Sequence, residues 1–144
     1  MSLSQARSCR LLLGADDDVG RWITSRVPHG EQWVDGGGTA IGFVSGEKIV
    51  AGAAYFRYNG ASLEVAFASE SPHWMSREGI RALFAYPFEQ LRVKRLTAIP
   101  DASNHASRRL IEALKFTPEA TLTQAAPDGD QVVYRMLRDE CPWL

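Results

Sequence analysis

Cysteine is scarce: Cys9 and Cys141 are the 2 thiols of a 144-residue chain, near opposite ends, outside any CxxC spacing and without a partner histidine. That excludes a disulfide framework and a cysteine-based metal site, and predicts reduced thiols in a cytoplasm. Long apolar runs are missing as well. Met1-Ser-Leu-Ser-Gln-Ala-Arg7 holds no stretch of signal-peptide length and nothing later approaches a membrane span, so a soluble, cytoplasmic protein with no membrane partner is expected. The formal net charge is only −1, which removes any global pull towards nucleic acid. His29, His73 and His105 are dispersed without metal-ligand spacing, and no metal is expected. Gly36-Gly-Gly38 lacks the Gly-Lys-Ser/Thr ending and the preceding strand of a phosphate loop, which makes it a flexible turn.

What is present suits one domain spanning residues 1–144, since 45% hydrophobic content at this length can bury a core. Arg10-Leu-Leu-Leu13 predicts a first strand. Gly14-Ala-Asp-Asp-Asp18 ends it and supplies acid to the N-terminus of a helix that runs until Pro28. Across residues 29–38 the pattern is uninformative, with Trp33 and Val34 placed over the sheet. Residues 41–44, 49–58 and 62–69 then alternate as three antiparallel strands joined at Ser45-Gly-Glu-Lys48 and Asn59-Gly60. In the third, Leu63, Val65 and Phe67 share one face, and Glu64 shares the other with Ala66 and Ala68. A helix over residues 76–91 follows, with Pro87 predicting a kink or a broken last turn. After it come a strand from Arg95, a helix after Asn104, and a final hairpin of residues 120–125 and 132–137. Trp22, Trp33 and Trp143 are core or dimer contacts, which leaves a homodimer open.

The stretch from Ser71 to Phe116 organises the chain: loop, helix with Tyr86-Pro-Phe-Glu-Gln-Leu91, strand, then Asn104-His-Ala-Ser107-Arg-Arg-Leu-Ile-Glu-Ala-Leu-Lys-Phe116. Ser107, Leu110, Ile111 and Leu114 fall on one helical face. This order resembles the Gcn5-related N-acetyltransferases (GNAT superfamily), particularly the branch that modifies protein N-termini. The likeness runs from about residue 40 to the end. It implies an α/β (α+β) domain whose central, mostly antiparallel sheet splays at its middle strands and is flanked by helices. It also implies acetyl-CoA as co-substrate and the amine of a protein, peptide or small molecule as acceptor, with direct attack in a ternary complex. The other class of function it leaves open is a GNAT-derived CoA-binding module that docks on a partner protein.

By that resemblance the pantetheine arm pairs with backbone at Phe67 and Ala68, and the pyrophosphate meets the amides of Ser76, Arg77, Glu78 and Gly79 at a helix N-terminus. Asn104 touches pantetheine and Ser107 lies near the thioester sulfur; from the residues alone, Asn104 equally caps a helix and Ser107 satisfies local backbone. The chain departs from the family in two places. The usual Arg/Gln-x-x-Gly-x-Gly/Ala loop falls on Ser71-Pro-His-Trp-Met-Ser76, with Trp74 at a Gly position. Arg77 and Arg81 either compensate through their side chains or are solvated surface charges. Ile111 stands where many relatives place an acidic tyrosine, which leaves Ser107 as proton donor. Glu64 is the candidate base, with Glu70 and Glu31 as alternatives.

Overall fold

In the computed structural model, residues 9–28 and 31–144 are described. They form one sheet of seven strands in the order β1-β2-β3-β4-β5-β7-β6, with helices on both faces. β1 is Arg10–Leu12, one residue shorter than expected. Helix α1, Asp16–Thr24, also stops early. Arg26 N bonds to Ile23 O and Val27 N to Thr24 O, three residues back, so the chain tightens before Pro28, whose ring disfavours helical backbone at the residue before it. Asp16 and Asp17 do more than favour the helix dipole: Asp16 accepts from Ala40 N at 3.0 Å, and Asp17 from Trp33 Nε1 and Gly36 N at 2.8 Å each. These bonds hold the Asp17 carboxyl below its ordinary pKa and tie the connecting segment to α1. Trp33 covers Gly20, where even a Cβ would lie 2.2 Å from the indole. Val34 does not cover the sheet; it is 72% exposed.

β2 (Thr39–Ser45), β3 (Lys48–Phe56) and β4 (Ser62–Ser69) are the antiparallel meander. Leu63, Val65 and Phe67 enter the core shared with the later helices, while Ala66 and Ala68 pack with Val19 and Ile23 of α1. Helix α2, Arg77–Ala85, runs into a π-turn at Tyr86–Gln90. Pro87 cannot donate to Leu83 O, and the hydroxyl of buried Tyr55 donates there instead at 2.7 Å. Leu91 N bonds back five residues to Tyr86 O at 3.0 Å, so the expected break takes the form of a widened turn.

β5 (Arg95–Ala98) lies parallel to β4. Helix α3 is His105–Ala113. It ends in a Schellman arrangement, with Phe116 N on Ile111 O and Lys115 N on Glu112 O, which places Lys115 at φ 75°, at a cost of about 1 kcal/mol for a residue with a Cβ. β6 (Thr117–Ala126) outruns its expected strand at both ends and β7 (Gly129–Leu137) at its start only, because β6 lies outside the core; every residue of β6 but Ala126 is exposed. The tryptophans all find partners within the chain. Arg26 lies over the Trp22 ring at 4.0 Å, and Trp143 Nε1 donates to Leu114 O at 2.9 Å.

Candidate active site

Three residue pairs fix the site: Ser62 with Arg95, Leu63 with Leu96, and Glu64 with Thr97. Beyond them β4 continues through Ser69 while β5 ends at Ala98, so the strands part and the β5-facing peptide groups of β4 have no strand partner. Such groups demand hydrogen bonds, and an extended amide-bearing ligand can supply them as an added strand would. Two cavities lie along the parted region, of about 430 Å³ and about 770 Å³. Val27, Phe67 and Ser107 line both, so these residues form the shared wall.

Asn104 and Ser107 come from the first turn of α3. Asn104 Oδ1 accepts from Ser107 N at 3.2 Å, so it caps the helix, and Asn104 also lines the larger cavity. Asn104→Ala removes the cap and is expected to lower stability by about 0.5–2 kcal/mol, read by urea denaturation. A variant that unfolds at the wild-type midpoint would show that α3 needs no cap. Ser107 is half-buried. Ile111, 2% exposed, lies on the wall of the smaller cavity, at the position where the family resemblance implies a tyrosine. Tyr134 sits elsewhere around α3, donating to Glu112 at 2.5 Å and accepting from Arg108 at 3.1 Å; no tyrosine lines either cavity among the described residues.

Glu64 lines the smaller cavity with its side chain 25% exposed. Burial pushes its carboxyl pKa up, Arg57 opposes the shift, and Glu31 adds to it. Arg57 Nη1 lies 2.6 Å from Glu64 and 2.7 Å from Glu31. Sequence reasoning found both carboxylates but not the arginine that joins them. Its signal was weak, since Arg57 merely follows a strand, one residue past Phe56. Glu70 lines the larger cavity and pairs with Arg26 at 3.0 Å. Arg109 is also on that wall.

The loop before α2 is built differently from a glycine-rich phosphate loop. Pro72–Trp74 is a short 3₁₀ turn. Trp74, 3% exposed, packs against Phe43 with the rings tilted by 34° and their centroids 4.9 Å apart, and donates to Ser69 Oγ at 2.8 Å, so it is a core residue. Its backbone needs no glycine-only angle, since it is absent from the positive-φ residues. Of the four amides assigned to pyrophosphate, that of Ser76 bonds to Trp74 O at 2.7 Å and that of Gly79 to Ser76 Oγ at 3.0 Å. No such bond joins the amides of Arg77 and Glu78 to their own turn, as expected for a helix start. Ser76, Glu78 and Gly79 line a third hollow with Cys9, His73 and Trp74. Arg77 is exposed, and Arg81 pairs with Glu89 at 3.2 Å. The structure thus gathers Glu64, Phe67, Ala68, Asn104 and Ser107 around the two cavities, and leaves Ser76, Arg77, Glu78, Gly79 and Arg81 off their walls. His105 opens α3, and His29 lies outside the described residues.

A mixed sheet that parts at its middle strands, with a cavity on either side of a helix-borne serine, defines a GNAT-type α/β domain. The chain belongs to the GNAT acetyltransferase family, for the acetyltransferase (GNAT) domain profile matches residues 10–117. No curated protein matches it significantly. Among solved structures it is similar to a GNAT-family acetyltransferase of Bacillus anthracis, with TM-score 0.57 and 18% identity over 70% of this chain and 67% of that one. It is also similar to the ribosomal-protein-S5-alanine acetyltransferase of Vibrio fischeri, with TM-score 0.64 and 14% identity over 94% of each chain. A third is the spermidine/spermine N-acetyltransferase of Vibrio cholerae, with TM-score 0.68 and 14% identity over 94% of this chain and 96% of that one. At such identities the likeness is one of fold. Two further solved proteins are longer, the chain covering 59% and 65% of them, so activities of whole relatives do not transfer. Among the described residues no helix is long and apolar enough to cross a membrane.

Proposed function

We propose that the domain moves an acetyl group from acetyl-CoA to a primary amine by direct attack in a ternary complex. One observation carries this reading: the unpaired edge of β4 leads to Ser107, which lines both the larger cavity and the smaller one that holds Glu64. The donor's fit rests on that edge at Phe67 and Ala68, on Asn104, and on Arg109. The amides of Arg77 and Glu78 at the start of α2 are available to an anion. When bound, acetyl-CoA supplies the activated acyl group. The chain's own residues do the rest: Glu64 takes the proton of the acceptor ammonium, directly or through water, and Ser107 Oγ donates a hydrogen bond towards the sulfur. Direct attack suits the thiols, since neither Cys9 nor Cys141 lines the two cavities. Both are unpaired, which accords with a cytoplasmic home for the reaction.

Trp74 in the loop and two internally bonded amides favour a second reading, a CoA-binding module that docks on a partner protein. Calorimetry with acetyl-CoA and a thiol-release assay over peptides, polyamines and small amines separate the two. Acetyl-CoA at 100 times its dissociation constant is expected to stabilise the fold by about 2.7 kcal/mol, and at least one amine to release thiol. Firm binding without release by any acceptor selects the docking module. Absence of binding overturns both.

A further inference from the structure

The charged groups lining the smaller cavity are Glu31, Arg57 and Glu64. Two carboxylates converge on a single nitrogen there, Arg57 Nη1, at 2.7 Å from Glu31 Oε2 and 2.6 Å from Glu64 Oε2. The contact to Glu64 is a charge-assisted hydrogen bond and that to Glu31 a short ion pair, and an ammonium can make both as well as a guanidinium. Arg57 holds the position loosely. It lies just past β3 with φ 54°, and its side chain is 59% exposed, so it can swing into solvent without opening a hole in the core. The rest of the cavity is largely apolar, with Phe56, Val65, Ile99 and Ile111 among its walls.

We propose that Arg57 is a displaceable self-ligand: its guanidinium holds the seat of the acceptor's ammonium between Glu31 and Glu64, and a cationic primary amine on an apolar stem binds by taking that seat. The inference rests on the acetyl-transfer reading above. Cation replaces cation, so the cavity's charge is the same before and after the exchange. An amino acid gains nothing from it, because once Arg57 leaves, the acceptor's own carboxylate faces Glu31 and Glu64 with no counter-charge. Arg57 therefore sets specificity in two ways, by competing with every cationic acceptor and by leaving carboxylate-bearing ones unpaired.

The test compares wild type with Arg57→Asn, which tolerates left-handed backbone and is too short to reach the carboxylates, and with Arg57→Lys, which retains a cation. The KM for n-butylamine is expected to fall about two- to fivefold in Arg57→Asn, the scale of an exposed ion pair, and to stay near wild type in Arg57→Lys. Glycine remains a poor acceptor in all three. A second measurement is independent of turnover: n-butylguanidinium, titrated by NMR, should bind Arg57→Asn more tightly than wild type. A higher KM for n-butylamine in Arg57→Asn, glycine as a good wild-type acceptor, or equal n-butylguanidinium affinity in the two proteins would overturn the proposal. If wild type neither binds acetyl-CoA nor releases thiol, the acetyl-transfer reading falls, and the titration still decides whether Arg57 guards a cation seat.

Discussion

Replacing Glu64 with glutamine is expected to slow acetyl transfer to amines at neutral pH by about 10²–10⁴-fold, the usual worth of a positioned general base, with acetyl-CoA affinity unchanged. An amine reaches the site largely as ammonium and cannot attack until it loses a proton. Glu64 stands at the last β4 residue paired with β5, on the cavity wall. Its burial raises its proton affinity and Glu31 raises it further, against the pull of Arg57. Glutamine keeps the size and one acceptor oxygen but takes no proton. A kcat loss with intact donor binding marks an interaction with the acceptor. Initial rates of thiol release across pH give the check, because the acid limb of the wild-type profile should vanish in the variant. A limb that persists unaltered removes Glu64 from the mechanism.

The same shift makes a stability statement of definite sign. Because burial lifts the folded-state pKa above the ordinary glutamate value, the fold disfavours ionised Glu64. The contribution of this group is fully present below its unfolded pKa and is lost as pH rises through the folded one. Glu64→Gln has no such loss. Melts from pH 4 to pH 7 should therefore show the difference in melting temperature, wild type minus variant, falling as pH rises. A rising difference would mean that the pair with Arg57 outweighs burial.

Local chemistry made much of the fold legible. Strand β4 has the bounds its alternation predicts, since one face meets a core and the other small residues. Pro87 announced a break, and Asn104 a helix start, because each acts on backbone groups within a turn of itself. What the sequence concealed depends on distant partners. Nothing around Trp33 shows that it lies on Gly20, and nothing around Tyr55 shows that its hydroxyl replaces the donor that Pro87 lacks. The strands of the last hairpin were underestimated because β6 buries neither face and so carries no core-facing alternation. In the site, Glu64 and Ser107 were legible as residues, whereas their common cavity follows only from the divergence of β4 and β5. Arg81 looked suited to phosphate by its spacing from Arg77, yet Glu89 holds it elsewhere.

Ser107→Ala is expected to fold, to bind acetyl-CoA, and to release thiol about 10²-fold or more slowly in the presence of an acceptor amine. The departing thiolate needs a proton donor or a hydrogen bond at the sulfur. Ile111 presents only carbon to the cavity, and Tyr134 is engaged with Glu112 and Arg108 away from it. Ser107 lines both cavities, and its backbone N–H already bonds to Asn104, so Asn104 serves the cap and the hydroxyl need not. A hydroxyl that only satisfied local backbone would cost stability on removal, roughly 0.5–1.5 kcal/mol, and little turnover. Thermal melts and thiol-release rates, measured together on wild type and variant, separate these cases. A lowered melting temperature with an unchanged rate assigns Ser107 to the helix. A retained melting temperature with slow release assigns it to the sulfur, and a thioester with a more acidic thiol should then recover rate in the variant, because a weakly basic leaving group needs the least help from a donor.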